Sequence, residues 1–248
     1  MDLKLKNKIV FITGASRGIG AATAKLLAKE GCDIFLGYNN RFEEAEKVAM
    51  EIRRMKRKVW LVKMDISNEN EVGIGAEEIK SIVSSIDILI VNAGFNLITP
   101  FEELTNKEWD KIININLNGS FYVINALKNS INKGGSILIV SSTSGHTGTP
   151  HQVHYAAAKA GLINLTRSLA RAMAPDVRVN CIAPGLTKTD MGRGTINFLP
   201  EDYLETNLLA KRAANPLEIA NVIAFMVSSL SGFIYGETIN VNGGRDFR

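Results

Sequence analysis

The fold of this chain is decided by residues 8–20, which read Lys8-Ile-Val-Phe-Ile-Thr-Gly-Ala-Ser-Arg-Gly-Ile-Gly20. An apolar run ends at Thr13, a glycine cluster follows, and a helical pattern then continues to Glu30. A strand, a glycine-rich turn and a helix in this order leave free backbone N–H groups at the helix N-terminus, which is a ready site for phosphate. The spacing is GxxxGxG rather than GxGxxG, so the position of the turn carries the prediction. We expect the phosphates of a dinucleotide to be bound by Gly14, Ser16, Arg17, Gly18, Ile19 and Gly20.

Short apolar runs alternate with helical patterns along the rest of the chain, which predicts seven strands. This alternation predicts the α/β class, with a single Rossmann-type domain over residues 1–248 and a doubly wound parallel sheet that carries helices on both faces. Residues 187–214 hold two glycines and a proline and read as irregular or weakly helical, so we interpret them as a substrate lid. The predicted strands span residues 8–13, 32–38, 59–64, 86–92, 136–140, 177–182 and 238–241.

Polar and glycine-containing motifs follow these predicted strands at their carboxyl ends. In doubly wound sheets, ligands bind in the crevice beyond these ends, near the point where the strand order reverses. Several motifs that converge on one crevice are a stronger signal than any one of them alone. Besides the glycine turn, we therefore place there Asp65 and its neighbour Ile66, Asn92, Ala93, Gly94, Ser142, Pro184 and Gly185.

A predicted helix from His151 to Met173 contains Tyr155-Ala-Ala-Ala-Lys159. Residues four apart lie on one helix face, so we expect the lysine ammonium beside the tyrosine phenol. A free phenol has a pKa of about 10, and a nearby cation lowers that value. The pair is a candidate general acid/base, although Tyr-x-x-x-Lys also arises by chance on helix surfaces.

Another long helix is predicted over residues 106–132. Thr105 and Glu108 have the spacing of a capping box at its start. Three asparagines within Asn114–Asn118 lie in its middle, where asparagine is a poor helix former. Such a local exception predicts a kink or an inward-facing amide with a function.

The end of the second predicted strand bears on the choice of cofactor. An acid there binds the 2′-hydroxyl of NAD, whereas basic residues accept the 2′-phosphate of NADP. Asp33 opens this strand, so it lies at the wrong end, and the carboxyl end has Tyr38, Asn39 and Arg41 without an acid. Arg17 in the glycine turn supplies a second cation. The pattern therefore favours NADP(H), with NAD(H) as the alternative.

Composition and charge exclude several classes of protein. Apolar residues make up 46% of the chain, enough for a sizeable core, so a disordered chain is excluded. The net charge of +4 is scattered, and the one dense basic run, residues 53–58, falls at a predicted helix end, so we expect no nucleic-acid site. No apolar run approaches the ~18 residues of a membrane span, and the N-terminus has no apolar signal core. Cys32 and Cys181 lie in apolar strand-like runs, which favours buried thiols and a cytoplasmic location.

All three histidines, His146, His151 and His154, fall between Ser142 and Tyr155. Three imidazoles on one loop could bind a metal, but no carboxylate or cysteine completes a site. We therefore expect no metal and interpret the histidines as solvent-facing loop residues, with at least one near enough to contact substrate.

Jointly, these motifs resemble the classical short-chain dehydrogenase/reductases over essentially the whole chain. The resemblance rests on Thr13-Gly14-x-x-x-Gly18-x-Gly20, Asn92-Ala93-Gly94, Asn116, Ser142, Tyr155-x-x-x-Lys159 and Pro184-Gly185. Within that family, residues 184–191, residues 236–244 and the Tyr155-Ala-Ala-Ala-Lys159-Ala-Gly161 context are most similar to β-ketoacyl-[acyl-carrier-protein] reductases of fatty-acid synthesis. The resemblance implies an NADPH-dependent reductase of 3-oxoacyl thioesters.

The resemblance also implies a role for each candidate catalytic residue. Tyr155 would donate a proton to the substrate carbonyl, and Ser142 would hydrogen-bond the same oxygen. Lys159 would lower the phenol pKa and hold the nicotinamide ribose, while Asn116 would hold a water that links the lysine to solvent. On the cofactor side, Asp65 would bind the adenine amino group, residues 92–94 would line the cofactor, and Thr187 would meet the nicotinamide amide.

Three functions stay open on the sequence. The first is reduction of a 3-oxoacyl thioester, free or carried on acyl carrier protein. The second is a related dehydrogenase of a sugar, polyol or other secondary alcohol, and the third is a non-catalytic dinucleotide-binding sensor. The complete set of Asn116, Ser142, Tyr155 and Lys159 argues against the sensor. The small residues on the predicted helix from His151 to Met173 allow close packing, and the family resemblance implies a homo-dimer or homo-tetramer.

Overall fold

The apolar runs form the strands of one parallel sheet in a computed structural model that describes residues 2–247. The strands are β1 (Ile9–Ile12), β2 (Asp33–Tyr38), β3 (Val59–Lys63), β4 (Ile86–Val91), β5 (Ile131–Val140), β6 (Val177–Pro184) and β7 (Thr238–Val241). Their order across the sheet is β3-β2-β1-β4-β5-β6-β7, and every neighbouring pair is parallel. The predicted doubly wound architecture is therefore confirmed. The chain crosses from β3 at one edge to β4 beside β1, which puts the reversal of strand order, and hence the expected crevice, at the carboxyl ends of β1 and β4.

Helices cover both faces of the sheet and bury it. Successive side chains of a strand point to opposite faces, so Val10 and Ile12 of β1 enter one apolar cluster and Phe11 enters the other, all fully buried. Burial on both faces explains why the strands read as continuous apolar runs. In chain order the helices are α1 (Gly18–Lys29), α2 (Phe42–Arg54), α3 (Glu69–Ile82), α4 (Asn106–Ile113), α5 (Gly119–Leu127), α6 (Ser144–Thr147), α7 (Val153–Met173), α8 (Asp190–Phe198), α9 (Tyr203–Asn207) and α10 (Pro216–Val227). Helices α1, α2 and α10 contribute to the first cluster, and α3, α5 and α7 contribute to the second.

The long helix predicted over residues 106–132 is interrupted where the asparagines lie. A π-helical turn over Asn114–Asn118 joins α4 to α5, and a 3-10 turn follows α5. The capping box is confirmed, because the Glu108 N–H donates to Thr105 Oγ1 at 3.2 Å and the Thr105 N–H donates to Glu108 Oε2 at 3.3 Å. The exception to helix propensity therefore marks a real change in the helix.

The predicted start of the fifth strand was wrong. Strand β5 begins at Ile131 rather than at Ser136, so Gly134 and Gly135 lie inside it instead of forming a turn before it. The pairing with β4 shifts register between Ile86 and Ile88, opposite these glycines. A glycine inside a strand commonly marks such an irregularity, which the sequence pattern does not distinguish from a turn.

The segment from residue 187 to residue 214 is more regular than expected, because it contains α8 and α9. Thr189 caps α8 by accepting a hydrogen bond at Oγ1 from the Gly192 N–H at 3.0 Å, and Asp190 places an acid in the first turn. Both features stabilise a helix N-terminus and compensate for the glycines within α8.

The two thiols are buried and free of disulfides. Burial raises the pKa of Cys32 to about 12 and that of Cys181 to about 11, so both are poor nucleophiles. Within residues 2–247, no helix has both the length and the apolar character needed to cross a membrane.

Candidate active site

The turn between β1 and α1 takes its shape from glycine. Gly14 and Gly18 have φ angles of 64° and 57°, which side chains of L-residues rarely tolerate. A Cβ on Gly20 would lie 2.4 Å from the Gly14 carbonyl oxygen, so α1 starts in direct contact with the turn. Arg17 precedes α1 without a capping side chain. The first N–H groups of α1 are therefore left for a ligand, which is the arrangement that binds phosphate.

Asn92 fixes this turn to the end of β4. Its Nδ2 donates to the carbonyl oxygens of Thr13 at 3.0 Å and Gly14 at 3.1 Å. In return, Thr13 Oγ1 accepts hydrogen bonds from the N–H groups of Asn92 and Ala93, both at 3.0 Å. The two central strand ends are thus held in one rigid unit at the point where the strand order reverses.

A cavity of about 540 Å³ lies between this unit, the remaining strand ends and the segment from residue 187 to residue 214. Its size is in the range of small-molecule and cofactor sites. Two predicted site residues do not line it: Gly20 packs behind the turn, and Asn116 lies behind Gly94. The predicted residues that do line it are Gly14, Ser16, Arg17, Gly18, Ile19, Tyr38, Asn39, Arg41, Asp65, Ile66, Asn92, Ala93, Gly94, Ser142, Tyr155, Lys159, Pro184, Gly185 and Thr187.

Tyr155 and Lys159 lie on one face of α7, as the spacing predicted, and Ser142 faces them from the end of β5. The Ser142 hydroxyl is hydrogen-bonded to the Tyr155 phenol. Lys159 Nζ donates to the Val140 carbonyl oxygen at 2.9 Å and lies 5.5 Å from the centroid of the tyrosine ring. Both side chains on α7 are buried, with exposed fractions of 9% and 3%.

The prediction that Lys159 lowers the pKa of Tyr155 is wrong when only groups of the protein act on the phenol. Burial raises the pKa of Tyr155 to about 12, and the hydrogen bond to Ser142 offsets only part of that rise. Burial also lowers the pKa of Lys159 to about 8. Loss of water penalises the charged form of each group, so phenolate and ammonium are both disfavoured. The phenol is consequently a proton donor at neutral pH, and the lysine titrates near it.

Asn116 is fully buried in the π-helical turn. Its Nδ2 donates to the carbonyl oxygens of Phe95 at 2.7 Å and Ile112 at 2.9 Å, and its Oδ1 accepts from the Phe95 N–H at 3.2 Å. A Cβ on Gly94 would lie 2.8 Å from this Oδ1 and 3.5 Å from Lys159 Nζ. The amide therefore ties the helix to the loop that carries Gly94 into the cavity.

At the other end of the cavity, Asp65 and Asn39 meet beside the end of β2. Burial alone would raise the pKa of Asp65, but hydrogen bonds from Ser67 and Asn39 outweigh it and hold the pKa below its usual value. Asp33 lies at the opposite end of β2 and pairs with Arg57 at 2.8 Å, so its exclusion from the cofactor site is supported. Arg41 pairs with Glu44 at 2.9 Å.

The interpretation of the histidines as solvent-facing was wrong. His154 is fully buried on α7, where its Nδ1 accepts from the Tyr155 N–H at 2.9 Å, and burial lowers its pKa. His151 lines the cavity and packs edge-on against Phe198 of α8, with 4.9 Å between the ring centroids. His146 is half-buried on α6. No group of His, Cys, Asp and Glu side chains suited to a metal ion was found within residues 2–247.

Several cavity residues were not anticipated from the sequence. Gln152 is 93% buried and lines the cavity. Asp190 forms ion pairs with Arg17 and with Arg193. Gln152 belongs to no motif, and Asp190 was recognised only as part of the stretch of residues 184–191, because both come to the cavity through folding of loops whose paths the strand pattern does not define.

Comparisons with known proteins agree with this geometry. Residues 14–246 match a family model described as enoyl-(acyl carrier protein) reductase. A 3-oxoacyl-[acyl-carrier-protein] reductase of Aquifex aeolicus is 39% identical over 248 residues, which cover 98% of this chain and 99% of that protein. The reductase of the same name from Staphylococcus aureus is 36% identical over 240 residues, covering 96% of this chain and 97% of that protein.

Solved structures agree as well. A short-chain dehydrogenase/reductase of Brucella melitensis, described as a glucose/ribitol dehydrogenase, superposes with a TM-score of 0.94 at 32% identity over 100% of both chains. A dehydrogenase/reductase of Sinorhizobium meliloti superposes with a TM-score of 0.91 at 29% identity, over 99% of this chain and 98% of that one. The chain therefore belongs to the short-chain dehydrogenase/reductases, a family of NAD(P)-dependent oxidoreductases.

Proposed function

We propose that this protein reduces the ketone of a 3-oxoacyl thioester, carried on acyl carrier protein, with NADPH as the hydride donor. The observation that carries the proposal is the single cavity that Tyr155, Ser142 and Lys159 share with the glycine turn. The names and high coverage of the Aquifex aeolicus and Staphylococcus aureus relatives support the substrate. We also propose that residues 187–214 act as the substrate lid and that the protein works in the cytoplasm as a homo-dimer or homo-tetramer. The buried free thiols support a reducing compartment.

The cavity fits a nicotinamide dinucleotide. The bare N-terminus of α1 can receive the pyrophosphate, and Lys159 offers a buried ammonium whose hydrogen bond goes to a single carbonyl oxygen, that of Val140. When bound, the nicotinamide supplies a hydride to the substrate carbon. Ser142 and Tyr155 lie together, so both hydroxyls can hydrogen-bond one carbonyl oxygen.

The pKa of the Tyr155 phenol identifies the source of the proton that the substrate carbonyl oxygen receives. With its pKa near 12, Tyr155 is protonated at neutral pH and can give its proton to the carbonyl oxygen as negative charge develops there. The phenolate that remains is stabilised by the Lys159 ammonium, which lies 5.5 Å from the ring centroid. Because the pKa of the lysine is about 8, its Nζ can return a proton to the phenol.

The preference for NADPH rests on the charges around the adenosine end of the cavity. Arg17 and Arg41 line it, and among the described residues β2 has no acid at its carboxyl end. Guanidinium groups bind phosphate in a bidentate manner and would accept the 2′-phosphate. Asp65, held in its carboxylate form, would accept a hydrogen bond from the adenine amino group.

A sugar or polyol dehydrogenase is the second candidate. It is favoured by two polar atoms in the cavity, Asn96 Oδ1 and His151 Nδ1, which are buried and have no hydrogen-bond partner within residues 2–247. Substrate hydroxyls could donate to both atoms. The Brucella melitensis neighbour, described as a glucose/ribitol dehydrogenase, is consistent with this alternative.

The test is a substrate panel followed through the absorbance of the reduced nicotinamide. We expect acetoacetyl thioester to be reduced with NADPH, and crotonyl thioester and sugar alcohols to be inert. Tyr155→Phe should lower the rate about 10²–10⁴-fold. Tyr122→Phe is the matched control, because Tyr122 lies on α5 and faces α3, outside the active-site cavity. Oxidation of a polyol by a protein that ignores the thioester would establish the second candidate instead, and full activity of Tyr155→Phe would refute the assigned proton donor.

A further inference from the structure

The start of the lid is docked on the glycine turn. Asp190, the first residue of α8, forms an ion pair with Arg17 in the turn. Thr189, which caps α8, lies close enough that its Cγ2 would be 3.1 Å from a Cβ on Gly18. The guanidinium that the proposed function assigns to the 2′-phosphate is therefore held by a carboxylate of the lid.

We propose that Asp190 is a specificity-determining residue, whose carboxylate competes with the 2′-phosphate of the cofactor for Arg17. This inference rests on the NADPH preference in the proposed function. When NADP(H) binds, its 2′-phosphate replaces the Asp190 carboxylate as the partner of Arg17. NAD(H) has no such phosphate and leaves the ion pair of Arg17 and Asp190 in place. The carboxylate thus weakens NADP(H) binding relative to NAD(H).

The second ion pair makes the exchange favourable. Asp190 also pairs with Arg193, one turn along α8, so it keeps a cationic partner when Arg17 leaves. Its position in the first turn of a helix further stabilises the negative charge. After the exchange, Arg17 faces the phosphate and Asp190 faces Arg193, and neither charge is left unpaired.

Arg17 should bind the 2′-phosphate more strongly than it binds Asp190, which also favours the exchange. The side chains of Arg17 and Asp190 are 43% and 47% exposed, and ion pairs this open to water are weak. A guanidinium binds the doubly charged phosphate more strongly, through bidentate charge-assisted hydrogen bonds. Arg41 forms its ion pair with Glu44 at the start of α2 and acts on Asp190 only as a nearby charge, so the direct link between the turn and the lid is the pair of Arg17 and Asp190. Binding of the phosphate should therefore release the beginning of α8 from the turn.

The test is isothermal titration of the full-length protein with NADP⁺ and with NAD⁺, without substrate. Asp190→Asn keeps a residue suited to the start of a helix and removes the charge. It should tighten NADP⁺ binding about two- to fivefold, the range expected for an exposed ion pair, and leave NAD⁺ binding unchanged. Arg193→Gln should weaken NADP⁺ binding, because Asp190 then has Arg17 as its remaining partner. Asp176→Asn removes the same charge beside Lys133, before β6 begins, and should change neither affinity.

The variant Arg17→Gln distinguishes competition for the arginine from direct repulsion between the Asp190 carboxylate and the 2′-phosphate. Adding Asp190→Asn to Arg17→Gln should have no effect on NADP⁺ binding if the two anions compete for the arginine. An equal gain in both backgrounds, or weaker NADP⁺ binding by Asp190→Asn, would overturn the proposal while leaving the NADPH preference intact. Equal affinities of the wild type for NADP⁺ and NAD⁺, with neither affinity changed by Asp190→Asn, would overturn both this inference and the cofactor preference.

Discussion

Replacing Asn116 by alanine should lower the free energy of unfolding by about 3 kcal/mol. The amide is fully buried and makes three hydrogen bonds to backbone groups of Phe95 and Ile112, at 2.7, 2.9 and 3.2 Å. A buried hydrogen bond contributes about 1 kcal/mol net, and the alanine variant leaves one N–H and two carbonyl groups without this partner. The loop that carries Gly94 into the cavity should loosen as well, so binding of NADP⁺ should weaken.

Urea unfolding, followed by circular dichroism at one protein concentration, measures the first effect. Asn118→Ala is the matched control, because Asn118 lies in the same π-helical turn and its side chain donates one long bond, 3.3 Å, to Asn114 Oδ1. We expect the control to lose less than about 1 kcal/mol. Equal losses for the two variants would show that the amide of Asn116 does not hold the helix to the loop, and the structural role assigned to it would be wrong.

Three further results are expected. Gly20→Ala should destabilise the fold by about 1–3 kcal/mol, because its Cβ would lie 2.4 Å from the Gly14 carbonyl oxygen. Gly73→Ala should stabilise it by up to about 1 kcal/mol, because a Cβ at this position in α3 would meet open space. Urea unfolding measures both changes, and changes of the same sign would contradict this reasoning. Gln152→Ala should lower kcat/KM for the thioester up to about tenfold, because its buried side chain lines the cavity. A loss of stability without a kinetic effect would make Gln152 a structural residue. Burial lowers the pKa of Lys159 from its usual 10.5 to about 8, so its buried charge destabilises the protein below pH 8, and this cost disappears as the pH rises to 10.5. Relative to Lys159→Met, the wild type should gain about 3 kcal/mol across that window, and parallel pH–stability curves would refute the shift.

The sequence determined most of the fold, because its signals are local. Strands buried on both faces must be apolar throughout, so β1 and β4 were recognisable as runs, and the capping box of α4 lies within four residues. The spacing of Tyr155 and Lys159 fixed their shared helix face before any packing was known. Once the strands were parallel and doubly wound, their carboxyl ends had to meet, and nearly all of the site residues predicted from the sequence line the cavity, although many further lining residues were not predicted.

Only the tertiary structure decided the environments of these groups. The pKa of Tyr155 depends on how much water the whole fold excludes, and that burial reverses the shift expected from its neighbour on the helix. Burial by the fold also decides the environment of His154, which lies in a polar stretch of sequence but is fully buried in the structure. The pairing of Arg17 with Asp190 joins residues 173 positions apart, and no local pattern specifies it. Secondary structure follows from neighbours along the chain, whereas desolvation and charge pairing depend on neighbours in space, which exist only after the chain has folded.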